Sequence, residues 1–138
     1  MTRKPIVGKI AGSALAFAAA AGMTLLPVQA LADEHSEIAN AATHAGLAAA
    51  AADVDGVHTH LHHALNCLVG PKGTGFAANE INPCANAGNG AIPDAADAGH
   101  KASLESAANT ARAGIAAADL ATAKKAATET ETALKAIK

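Results

Sequence analysis

The chain has 138 residues, 51% of them hydrophobic but only 1% aromatic, and a formal net charge of −2. With so few large side chains, one small domain is the most it can build. Residues 33–138 hold seven of its ten basic residues and all twelve acidic ones, a balance that argues against nucleic acid and anionic membrane surfaces as partners.

The first segment carries Arg3, Lys4 and Lys9, an apolar run from Ile10 to Leu26, then Pro27 and the tripeptide Ala30-Leu31-Ala32 before Asp33. A basic start, an apolar middle and a small-x-small ending predict a signal peptide over 1–32 and a periplasmic or secreted protein, exported by a Sec-type route. An uncleaved membrane anchor would share the apolar run. Pro27, which breaks a helix just ahead of the cleavage site, favours cleavage and hence no membrane association afterwards.

Ala-rich stretches with spaced Leu, Ile and Val predict four helices in what remains. The first runs from about Ser36 to Ala52, with Asp33 or Ser36 as N-cap. The second starts at Asp53 or Asp55 and ends near Leu68, before Gly70-Pro71. From 69 to 99 the text turns to Gly, Pro and Asn, which predicts a connecting loop. The third helix is expected over about Ala102 to Ala117, with Leu104, Ala108, Ala111, Ile115 and Ala118 inward. The fourth begins at Asp119 and turns Leu120, Ala123, Ala127, Leu134 and Ile137 to the same core. THAGLAAAA and ARAGIAAA align Gly46 with Gly114 as a degenerate repeat. The expected fold is therefore all-α: an antiparallel four-helix bundle of two hairpins, 33–68 and 100–138, joined by the long loop.

Such an Ala-rich core buries little apolar area, so a staple is expected. Cys67 and Cys84 are the only cysteines, and an exported protein sits where disulfides persist. Two free thiols or a soft-metal pair would use the same residues.

All seven histidines lie beyond the signal, and His44, His58, His60, His62 and His63 crowd into the first hairpin. The second hairpin uses Lys, Glu and Thr at its polar positions, so the asymmetry points to a task, and imidazole is the commonest transition-metal ligand. At about 100° per residue, His58 and His62 share one flank of the second helix, four positions apart. His60 falls on the other flank near Cys67, and His63 is expected toward solvent. A third nitrogen from His44 or His35, or an oxygen from Asp53, Asp55 or Glu37, would complete a site; the expected ligands are His58 and His62 with a partner such as His44, and His60 and His63 are secondary. The absence of Met beyond residue 32 and the expected disulfide favour Cu(II), Zn(II) or Ni(II) over Cu(I). Covalent haem lacks its CxxCH sequence, a carboxylate-bridged di-iron centre lacks Glu-x-x-His, and non-covalent haem would find little aromatic surface. A small metalloenzyme, or a helical partner-binding module with solvated histidines, would also be compatible with this pattern.

The segment IANAATHAGLAAAAADVDGVHTHLHHAL, and more weakly SLESAANTARAGIAAADLATAKKAATETETALKAI, resembles the small His-rich metal-binding proteins of the bacterial periplasm. That resemblance implies a four-helix bundle of two hairpins that binds divalent ions, copper among them, for metal scavenging or homeostasis; no Ser/His/Asp or Cys/His constellation stands out in the residues to support an enzyme. Two features depart from that family. Its members spread His through all helices, whereas no His follows His100 here, and LNCLVGPKGTGFAANEINPC is unlike its loops.

Overall fold

The computed structural model describes residues 33–137, so the expected signal peptide lies outside the described residues. The described chain is all-helical: α1 (Glu34–Ala50), α2 (Val54–Val69), α3 (Ala91–Asp94), α4 (Ala98–Ala116) and α5 (Leu120–Ala136). Among the described residues no helix is long and apolar enough to cross a membrane.

Each of the four long helices begins with the same device. Asp33, Asp53, Asp97 and Asp119 each accept a hydrogen bond from the backbone N–H three residues on, at 3.1, 2.8, 2.8 and 2.9 Å. An aspartate there satisfies one of the orphan amides and places negative charge at the positive end of the helix dipole. Asp97 caps α4, which therefore starts four residues before the expected Ala102. The short α3 also lies inside what was expected to be loop.

The long helices pack in a ring of neighbours. α1 lies against α2 and α5, and α4 lies against α5 and α2. Val57, Leu61, Leu65 and Leu68 form the buried stripe of α2, with Val54 only half-buried at its start, while α4 and α5 bury mostly alanine. Small residues let the backbones approach closely. A Cβ on Gly114 would lie 2.6 Å from a Leu61 methyl and 3.0 Å from Ala126 Cβ. Ala118, expected inward, is exposed because α4 has already ended.

The two halves are a repeat with an offset of 66 positions, and the register differs by two residues from the Gly46–Gly114 alignment. α1 and α2 are joined by Ala51-Ala52-Asp53, and α4 and α5 by Ala117-Ala118-Asp119. Ala51 N–H donates to Ala48 O at one connection and Ala117 N–H to Gly114 O at the other. Two equivalent positions even meet: His100 Nδ1 lies 3.1 Å from Glu34 Oε1 across a sequence separation of 66. Ala runs match at several registers; the two interhelix connections and their aspartates, Asp53 and Asp119, fix this one, while α4 begins two residues earlier in the repeat than α1.

The segment between α2 and α4 is tied down at several points. Cys67 and Cys84 form the expected disulfide, with Cα atoms 5.1 Å apart. The buried Asn66 amide donates to Ala77 O and Ile81 O, at 3.1 and 3.2 Å, and its oxygen accepts from Ala77 N–H at 2.8 Å. Gly70 and Gly90, both at positive φ, let two stretches of backbone cross; a Cβ on Gly70 would fall 1.5 Å from Asn89 O.

Glu37 clips the far end of this segment to α1. Fully buried, it accepts from Gly90 N–H at 2.8 Å through Oε1, while Oε2 has no partner. Burial pushes its carboxyl up from 4.5 to about 7; the Gly90 amide opposes the rise, and Asp94 adds to it. Between those two values the folded chain holds a proton that the unfolded chain has released. Stability therefore falls as pH rises through that window, by on the order of 3 kcal/mol from this group. Glu37→Gln keeps the acceptor for Gly90 and removes the ionisation. In urea unfolding, wild type and variant should match near pH 4.5, and the variant should be the more stable at pH 8. An equal difference at both pH values would contradict this account.

Candidate metal centre

α1 and α2 face each other over the flank of α2 that carries His60, His63 and Cys67, and three imidazoles meet there. One ligand atom each from His44 on α1 and from His60 and His63 on α2 lies within 4.8 Å of the other two. The ring centroids are 5.8 Å apart for His44–His60, 5.1 Å for His44–His63 and 5.6 Å for His60–His63. His60 and His63 stand three positions apart, adjacent on a helix face. The three can hold a metal ion. Metal–nitrogen bonds of about 2.0–2.1 Å put tetrahedral ligands roughly 3.4 Å apart, so binding draws the rings inward by side-chain rotation.

The Nδ1 atoms of His44, His60 and His63 are all buried and lack a hydrogen-bond partner. Buried polar atoms are almost always satisfied, and coordination would satisfy all three together. The surroundings of two of the rings, His44 and His63, also favour the neutral form. Burial holds His44 below the ordinary imidazole value of 6.5, with His63 and His60 adding to the effect. Burial likewise lowers His63, with His60 adding and Glu80 opposing. Neutral imidazole is the form that coordinates.

Compared with family models, curated proteins and solved structures, the chain matches none.

Its internal repeat supplies a comparison instead. At the same offset, the counterparts of His44, His60 and His63 are Thr110, Ala126 and Glu129, so the second half has no equivalent cluster. The counterpart of His58 is Lys124. His58 Nε2 sits 3.0 Å from Ala117 O, and Lys124 Nζ donates to Ala51 O at 3.0 Å, so each half sends one side chain to the other's connection. His58 therefore does a tethering job that lysine does in the other half.

The remaining expected ligands are dispersed. His62 is half-buried one turn beyond His58, outside the three-ring group, with an unpartnered Nδ1 of its own. His35 is exposed on the first turn of α1. His63, expected toward solvent, is only 6% exposed because α1 and the loop bearing Glu80 cover it. The expected oxygen donors are engaged or remote: Asp53 caps α2, Glu37 holds Gly90, and Asp55 is exposed. The carboxylate beside the cluster is Glu80, whose Oε2 is 3.7 Å from His63 Nε2. Sequence reading missed it because a loop residue has no periodicity to place it. A cleft of about 730 Å³, lined by residues including Val69, Lys72, Lys101 and Arg112, contains none of these imidazoles.

Proposed function

We propose that this chain is an exported, non-catalytic protein that binds a divalent transition metal, Cu(II), Zn(II) or Ni(II), through His44, His60 and His63, for metal scavenging or homeostasis. The single observation that carries the reading is the convergence of three imidazoles from two helices, each with a buried, unpartnered nitrogen. The disulfide supports the choice of metals. It removes both thiols from the donor set, and what remains is borderline imidazole nitrogen. We read the scaffold as an antiparallel four-helix bundle of two hairpins, which the ring of neighbouring helices and the two matching Ala-Ala-Asp connections support. A cluster between the helices of one hairpin needs no contribution from the other.

Specific binding to the folded state raises stability by mass action, about 2.7 kcal/mol at a free metal concentration one hundred times Kd. The thermal midpoint of residues 33–138 should therefore rise on adding Zn(II) at pH 7 and return after chelation. A midpoint that Zn(II), Cu(II) and Ni(II) all leave unmoved would contradict the proposal.

A further inference from the structure

The imidazole of His63 presents its two nitrogens to different surroundings. Nδ1 is buried and unpartnered, whereas Nε2 faces Glu80 Oε2 at 3.7 Å. A neutral imidazole carries one proton, and a carboxylate beside one nitrogen fixes the proton there and leaves the lone pair on the other. We propose that Glu80 is the positioning carboxylate of the metal site: it takes the Nε2–H of His63 and so presents Nδ1 of that ring to the ion. The inference rests on the metal-binding reading of the cluster.

Three further observations favour it. Glu80 does not belong to the group whose ligand atoms all lie within 4.8 Å of one another, and its contact is with His63, which suits a carboxylate that acts through that ring. Its backbone is fixed rather than merely nearby. The Asn66 amide holds Ala77 and Ile81 on either side of it, Glu80 N–H donates to Ala77 O at 3.1 Å, and Cys84 ties the loop to α2 one turn beyond His63. Its side chain is 27% exposed, free enough for a small rotation to shorten the 3.7 Å contact to hydrogen-bond length. Asn66 and Cys67 thus acquire a role beyond stability: from the same helix as two of the ligands, they bring in the carboxylate that orients one of them.

The test combines Zn(II) titration of residues 33–138 at pH 7 with the nitrogen NMR shifts of the His63 ring in metal-free protein, for wild type, Glu80→Ala and Glu80→Gln. Glu80→Ala should weaken Zn(II) binding by about 10- to 100-fold, the usual effect of losing a ligand's orienting partner. It should also turn the His63 ring from protonated at Nε2 to a mixture of the two tautomers. Glu80→Gln, whose amide oxygen accepts the same N–H, should restore most of both. If wild type binds Zn(II) and Glu80→Ala binds equally tightly with an unchanged tautomer, the positioning role is wrong and the three-histidine site stands. If wild type does not bind at all, the site itself is wrong and this inference falls with it.

Discussion

Replacing His60 with Ala should lower Zn(II) affinity by at least about 100-fold, since loss of an orienting partner alone costs 10- to 100-fold and a ligand contributes more. Replacing His58 with Ala should leave the affinity unchanged. The two residues lie two positions apart in the same His-rich stretch, so composition does not distinguish them; their surroundings do. His60 meets His44 and His63 and carries a buried, unpartnered nitrogen, while His58 is bonded to Ala117 O. His58→Ala should instead cost about 0.5–1.5 kcal/mol of stability through that lost hydrogen bond. Calorimetric titration and urea unfolding of both variants read the two effects separately. Equal loss of affinity in both would mean that the stretch binds metal diffusely.

The second large effect concerns the disulfide. The buried set is dominated by alanine, with Leu61, Leu65, Leu68, Leu104 and Leu134 as its leucines, so apolar burial leaves little margin. Cys67–Cys84 closes a span of 17 positions, which constrains the unfolded chain by about 3 kcal/mol. The double variant Cys67→Ser with Cys84→Ser should lose about that much stability. Its Zn(II) affinity should fall as well, because the loop carrying Glu80 is then held mainly by Asn66. Urea unfolding gives the first quantity and titration of the folded variant the second. A stability loss below about 1 kcal/mol would show that Asn66, Glu37 and the glycine crossing hold the segment without the bridge.

The helices, the disulfide and the crowding of histidines into one hairpin were legible in the sequence because each rests on local text. Asp53 and Asp119 precede apolar periodic runs, the cysteines are only two, and the histidines are unevenly divided. The grouping of His44, His60 and His63 was not legible in the same way. Helical geometry gave two flanks of α2, and the i,i+4 pair His58 and His62 was the more familiar spacing. Which flank faces α1 is a tertiary fact. One clue was present but masked: His58 and Lys124 both stand five residues after a capping aspartate, and the shared position marks a structural tether. Alanine runs hid that register by aligning Gly46 with Gly114. Glu80 and Glu37 were beyond local reading, since one sits in an irregular loop and the other's burial depends on Gly90 arriving from 53 positions away.

Calorimetric titration of residues 33–138 with Zn(II) and Cu(II) at pH 7, beside the variant in which His44, His60 and His63 are all Ala, tests the central claim most directly. One ion should bind per wild-type chain at a saturable site, with no saturable heat in the triple variant, whose other four histidines remain in place. Indistinguishable isotherms for the two proteins, or no heat from wild type, would contradict it.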